Sequence, residues 1–374
     1  MTNRELSADL LDTIRGRAAG YDAENRFFAE DFDDLRRAGY LAAAVPVAFG
    51  GWGLSLAELS AQQRRLAAAA PATGLGVNMH HVWVQVARFL HERGDSRLDW
   101  VLRDAAAGEV FAFGISEAGN DAVLMDANTQ AVPDSHGGYR LTGTKIFTTL
   151  SPVWTRLGVH ARDETGPDGP RIVHGFLRRD DAGISNPGIW NPLGMRATQS
   201  YTTRLEDARM LGADVTTRVE PFDGSDPLIL GIFSAFSLLT ASVYAGIGDR
   251  AIELAVEGSR RPSGEGTRLD DPDAAARLTA AVLEHRASLD ALTILCRDID
   301  DRAAREDWFL ALAAAKNRVT DEARAAVDVA FRMLGARGFH ADSELARMYR
   351  DVLAGLFHPS SSRALAATVR ATLA

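Results

Sequence analysis

Residues 227–248, PLILGIFSAFSLLTASVYAGIG, run for 22 positions without a charged side chain. A helix of that length can cross a bilayer, so this stretch commits the chain either to a membrane or to a core thick enough to hide a helix on every side. The residues favour the core. Ser234, Ser237, Thr240, Ser242 and Tyr244 interrupt the apolar run, Asp226 and Asp249 flank it, and no lysine or arginine cluster lies just outside. A chain of 374 residues with 46% apolar and 24% charged side chains has enough material for such a core. No membrane association is expected.

Periodicity divides the chain into three. Residues 1–110 repeat apolar positions every three or four residues, as in FFAEDFDDLRRAGYLAAAV and LAELSAQQRRLAAAA, and read as an N-terminal helical domain. Residues 111–212 change texture. Runs such as YRLTGTKIFTT, RLGVHAR and RIVHGFLRR alternate with the turn clusters PDSHGG and ETGPDGP, which predicts a β domain of barrel-like size. Residues 213–374 return to long helical stretches, with Gly212, Pro221 and Gly224 marking an expected hinge at 211–225. Strands confined to the middle argue against a doubly wound sheet and give an α+β, mainly helical class.

The formal net charge of −9, with no basic stripe, disfavours nucleic acid and anionic membranes as partners. Basic residues are arginines except Lys145 and Lys316, which reads as a compositional bias. The lone Cys296 excludes an internal disulfide and a cysteine-based zinc cluster. The first residues, MTNRELSADLLDTIRGRAA, lack the apolar core of a signal peptide, so the cytoplasm is the expected compartment.

Generic catalytic signatures are missing: there is no G-x-G-x-x-G after a strand, no Walker-type loop and no H-E-x-x-H. His80 and His81 lie next to each other on a helical stretch, about 100° apart around its axis, and cannot share a metal as an i, i+4 pair does.

Two stretches are more informative. FAFGISEAGNDAVLMDANTQAV, residues 111–132, places Ser116, Glu117, Gly119, Asn120 and Asp121 in a tight polar loop after a strand. YRLTGTKIFTTLS, residues 139–151, ends a second strand in Phe147, Thr148 and Thr149. Their order resembles the acyl-CoA dehydrogenase superfamily, whose β domain carries a T-E-P-x-A-G-S-D loop and then an N-G-x-K-x-[FW]-I-[TS] strand. LRRAGYLAAAVPVAFGGWGLSLAEL (35–59), LGMRATQSYTTRLEDARM (193–210) and LGARGFHADSELARMYRDV (334–352) are similar to three further motifs of the family in the same order.

The resemblance implies a flavoenzyme with a helical domain, a β domain and a C-terminal four-helix bundle. Carried over by position, Ser116 and Thr149 bond the flavin ring, Phe147 packs on its face, and Asn120 replaces the serine that binds the pyrophosphate. Gly335 approaches the adenosine end of a neighbouring subunit's cofactor, which implies a homotetramer or homodimer. FAD is the implied cofactor, with FMN as the alternative. The alternative arises because EGSRRPSG puts Gly258 where the family has its phosphate-gripping arginine, leaving Arg260 or Arg261 to substitute.

A second departure concerns the reaction. Where most of the family reads Y-E-G-T-S-E-I, this chain reads FHPSSSRAL, so His358 stands in the place of the catalytic glutamate and Ser360 and Ser361 keep the hydroxyl-rich turn. Asp226, at the start of the uncharged helix, is either a replacement base or a helix cap. The first reading is α,β-dehydrogenation of an acyl thioester, with Asp226 or His358 as base, hydride transfer to flavin N5, and electron-transfer flavoprotein as acceptor. The alternative is a two-component monooxygenase that takes another small organic substrate and receives reduced flavin from a reductase. In that case His358, His80 or His81, and Ser151 would steady a C4a-hydroperoxyflavin. A scaffold that has lost its chemistry ranks third, because the flavin loops are nearly complete.

Overall fold

The computed structural model describes residues 4–120 and 122–373; Asp121 of the polar loop lies outside them. The N-terminal helices are α1 (Ala8–Glu24), α2 (Ala29–Arg37), α3 (Leu56–Ala69), α4 (Pro71–Glu92) and α5 (Asp99–Ala106). Local chemistry starts them where it should. Ser55 and Glu58 form a reciprocal capping box on α3, and Pro71 occupies the first turn of α4, where its missing N–H costs nothing.

The strands follow as β1 (Phe111–Gly114), β2 (Gln130–Pro133), β3 (Tyr139–Thr148), β4 (Arg156–Asp163), β5 (Arg171–Arg178), β6 (Ile184–Ser185), β7 (Tyr201–Met210) and β8 (Val215–Val219). They form one sheet in the order β6-β7-β3-β2-β4-β5-β8, with β1 parallel to β4. The sheet continues past residue 212: β8 pairs antiparallel with β5 from Ile172↔Val219 to Gly175↔Val215, so part of the stretch read as a hinge is a strand. Helix α4 docks on this sheet through Trp83. Its indole lies where a β-carbon on Gly158 would be, donates Nε1–H to the Ala112 carbonyl at 3.0 Å, and meets the Phe176 ring edge-on at 4.8 Å.

The C-terminal half is α6 (Pro227–Ser259), a two-stranded hairpin of β9 (Pro262–Ser263) and β10 (Gly266–Thr267), α7 (Pro272–Asp300), α8 (Trp308–Leu334), α9 (Glu344–Val352) and α10 (Ser362–Leu373). Helix α6 carries the uncharged stretch. It is enclosed by α3, α4, α7 and α8, and nearly all of that stretch is buried. Helices, then one sheet, then a helical bundle is the architecture the sequence predicts.

Candidate active site

Two neighbouring cavities, of about 560 Å³ and about 180 Å³, open between the sheet, the first turns of α6 and the turn after α9, and share Phe113, Phe236 and Pro359. The smaller is lined by Ser116, Phe147, Thr149, Trp190, Ser200, Arg350 and His358. The larger is walled by Val123, Leu124 and Met125 from the polar loop, Ile229, Ile232 and Phe233 from α6, Phe309 from α8, and Ser360 and Ser361.

The smaller cavity follows from how β3 ends. Phe147 sits at φ +57°, outside the β region, and its ring stays 52% exposed, edge-on to Trp190 at 6.1 Å. Thr149 is buried behind it, its hydroxyl 2.8 Å from that of Ser200, which lies 2.8 Å from that of Thr198. One wall is thus aromatic and the adjoining one is a chain of hydroxyls. The 193–199 loop is held against α9: the Met195 N–H donates to the Asp351 carboxylate, and Gly194 leaves no room for a side chain against the Arg350 backbone.

The loop carrying Ser116 is pinned from inside the sheet. Glu117, buried, accepts from Lys145 Nζ at 2.7 Å, from the Asn128 and Thr129 N–H groups at 2.6 and 2.9 Å, and from Asn120 Nδ2 at 3.0 Å. Burial alone would raise its pKa, but Lys145 and these donors outweigh burial and hold it below the usual carboxylate range. Lys145 also donates to the His160 carbonyl at 2.7 Å and lies 3.2 Å from His160 Nδ1. His160 Nε2–H in turn donates to the Val123 and Asp126 carbonyls at 2.7 and 2.9 Å. One buried lysine therefore fixes both the Ser116 loop and the 122–126 wall of the larger cavity.

A second buried lysine shapes the C-terminal turn. Lys316 Nζ donates to the carbonyls of His358 at 2.8 Å, Ser360 at 3.0 Å and Gly355 at 3.5 Å, and Asn317 donates to Ser360 at 2.9 Å. His358 is half-buried, with Nε2 2.8 Å from the Tyr244 hydroxyl. Burial, then the charge of Lys316, pushes its pKa down to about 3, so the ring is neutral at ordinary pH. Among the described residues no carboxylate lines either cavity.

Ser116, Phe147, Thr149 and His358 thus meet at the smaller cavity, and Ser360 and Ser361 at the larger. Asn120 lines neither: its side chain is consumed in bracing the loop, donating to Glu117 and the Asp126 carbonyl and accepting from the Ala122 and Val123 N–H groups. Asp226 also lies outside both. It caps α6 through the Leu228 N–H at 2.9 Å, pairs with Arg97 at 2.8 Å and accepts from Thr217 at 2.7 Å. Burial works to raise its pKa, as a base requires, but these partners prevail and lower it.

The other donors expected around the flavin are engaged elsewhere. His80 Nε2–H donates to the Leu41 carbonyl at 2.8 Å while Nδ1 accepts from the Phe111 N–H at 3.1 Å, which makes it a core brace. His81 is fully buried with the Tyr40 ring 4.8 Å away. Ser151 donates to the Thr148 carbonyl at 2.6 Å. Arg260 and Arg261 are exposed at the far end of α6, about 35 Å along the helix from Phe236, and do not reach the cavities of their own chain. Gly335, expected at a neighbouring subunit's cofactor, ends α8 at φ +63° beside Arg268 and lines neither cavity of its own chain.

Sequence reading missed Lys145, Lys316, Tyr244 and Ser200. Lys145 and Lys316 carried a signal, being the two lysines of a chain that otherwise uses arginine. Physically, the smaller cavity has what a flavin ring needs: a half-exposed aromatic face at Phe147, hydroxyls at Ser116, Thr149 and Ser200, and a neutral imidazole at the edge.

The chain is similar to known proteins over most of its length. Residues 4–97 match the family "Acyl-CoA dehydrogenase, N-terminal domain" and residues 228–357 the family "Acyl-CoA dehydrogenase, C-terminal domain". The chain is 28% identical to YdbM of Bacillus subtilis, provisionally named an acyl-CoA dehydrogenase, over 94% of this chain and 91% of YdbM. It is also 28% identical to L-evernosamine nitrososynthase of a Micromonospora species, over 94% of this chain and 85% of that protein. Identity to dibenzothiophene monooxygenase of Rhodococcus erythropolis is 26%, over 98% and 92%. The structure of KijD3 in complex with FMN and a dTDP-amino-keto sugar superposes with a TM-score of 0.82 at 26% identity, covering 98% of this chain and 91% of KijD3.

Proposed function

This chain belongs to the acyl-CoA dehydrogenase superfamily of flavoproteins, and on that premise we propose that it is a flavin-dependent monooxygenase rather than a thioester dehydrogenase. One observation carries the choice: among the described residues no carboxylate lines either cavity, and the side chain in the glutamate's place is a neutral histidine pushed down to about 3. Removing an α-proton needs a base whose conjugate acid lies near working pH. A histidine this weakly basic fails that requirement. It is suited instead to donating a hydrogen bond in a water-poor site, which oxygen transfer uses. The likeness to nitrososynthases and to dibenzothiophene monooxygenase supports the same choice.

Bound reduced flavin would supply two electrons to dioxygen, one oxygen atom entering the substrate and the other leaving as water. The chain's own residues divide the remaining tasks. Phe147 supports one face of the ring, Ser116, Thr149 and Ser200 offer fixed hydroxyls, and His358 donates at the edge. The larger cavity, with Phe113, Phe233, Phe236 and Phe309 in its lining, takes an apolar small molecule. FMN is the proposed flavin, because Gly258 stands where the family has its phosphate-gripping arginine, Arg260 and Arg261 do not reach the cavities of their own chain, and KijD3, the relative described above, binds FMN. A separate NADH-dependent reductase would deliver it reduced.

The test supplies FMN, an NADH:flavin reductase, ¹⁸O₂ and indole as a probe, and analyses the product by mass spectrometry. One ¹⁸O atom in the product is expected. Anaerobic bleaching of bound flavin by butyryl-CoA, with no ¹⁸O incorporation, would reinstate the dehydrogenase.

A further inference from the structure

We infer that Tyr244 is a positioning residue that fixes the His358 tautomer with its proton on Nδ1, so that the neutral ring presents an N–H donor to the smaller cavity; this rests on the monooxygenase reading above. Tyr244 is fully buried in α6, and its hydroxyl lies 2.8 Å from His358 Nε2. Two arrangements fit that distance. If Nε2–H donated to the phenol oxygen, the phenol hydrogen would need a second acceptor, and Tyr244 has none among the described residues. A buried O–H left without an acceptor bears the full cost of its desolvation. If the phenol donates to Nε2, both groups are satisfied and the imidazole proton resides on Nδ1.

The turn is built to hold this arrangement. Gly355 lets the chain pass against the Tyr244 ring, where a β-carbon would stand 3.0 Å from the phenol carbons. Lys316 grips the carbonyls of Gly355, His358 and Ser360, so the backbone on both sides of the imidazole is tethered to α8 while its side chain is tethered to α6. A cation this close also opposes protonation of the ring. Nδ1 has no partner among the described residues, and His358 lines the smaller cavity, which makes Nδ1 the polar atom left to serve it.

The decisive readout is the tautomer itself. Long-range ¹H–¹⁵N spectra of ¹⁵N-histidine-labelled, FMN-loaded protein, with the resonance assigned by its loss in His358→Gln, should place the proton on Nδ1. Tyr244→Phe, which keeps the ring and removes only the hydroxyl, should give a mixture of tautomers. It should also lower the ratio of oxygenated product to hydrogen peroxide about tenfold, with FMN affinity within about twofold of wild type. A proton on Nε2 in the wild type, or an unchanged tautomer in Tyr244→Phe, would overturn the assignment. Should no oxygenation be found while the tautomer responds as described, the functional reading falls and the positioning role stands.

Discussion

Lys145 has no accessible surface, and every donor on its ammonium is answered inside the β domain by Glu117, the His160 carbonyl and His160 Nδ1. Removing it leaves Glu117 buried beside its remaining donors without a counter-charge. Lys145→Met should therefore cost about 3–5 kcal/mol of stability in chemical denaturation, and the double variant with Glu117→Gln should recover part of that loss. Flavin affinity should fall with it, since the pair holds the Ser116 loop. Here the sequence was legible in part. The polar loop and the end of β3 announced Ser116, Phe147 and Thr149 through the family motifs they occupy. The ion pair behind them was not announced, because which charges are buried together depends on strand pairing and loop closure.

Helix α6 shows how far one element can separate two tasks. Its first turns supply Ile229, Ile232, Phe233 and Phe236 to the larger cavity, Tyr244 lies about 12 Å further on, and Arg260 ends it. Asp226 caps the start of the helix and lines neither cavity. Asp226→Asn should lower the melting temperature by a few degrees, through a weakened cap and the lost Arg97 pairing, worth about 1–2 kcal/mol. Oxygenation at temperatures well below melting should change less than about twofold, because the side chain is outside both cavities. A large loss of turnover with flavin binding intact would return Asp226 to the catalytic list. The helix itself was readable from its uncharged run and its flanking aspartates. Strand β8 was not, since VTTRV lies between a turn at Gly212 and the Pro221–Gly224 cluster, and those breakers suggested a hinge.

Across the whole molecule, the ordered motifs made the architecture legible, while the placement of functional side chains depended on distances along helices that motifs do not carry. Arg260 and Arg261, for example, lie beyond the cavities of their own chain. Burial of titratable groups is a further property that emerges only at this scale. His80 and His174 are pushed down to about 4 and His358 to about 3, and His81 and His160 lie well below their ordinary value, all chiefly by burial. Burial instead raises Asp31 and Asp351 to about 6.

Between about pH 4 and 6.5 the unfolded chain protonates these five histidines while the folded one does not, so acid destabilises. The two aspartates act in the opposite sense, since the folded chain keeps their protons up to about pH 6. The histidines outnumber them. Melting temperature should therefore fall by about 5 °C per pH unit on acidification through this window, as calorimetry can check; a flat profile would mean that the histidines are less sequestered than their burial implies.

Lys145 and Lys316 have one more consequence. They are the whole lysine complement of the chain, and both side chains are 0–1% exposed. In the folded protein neither offers an amine to acylating reagents. Amine-directed labelling of lysine thus becomes a clock for structural opening. Modification at Lys145 should report release of the β domain and modification at Lys316 release of the C-terminal turn, and peptide mapping under gentle warming should show which yields first.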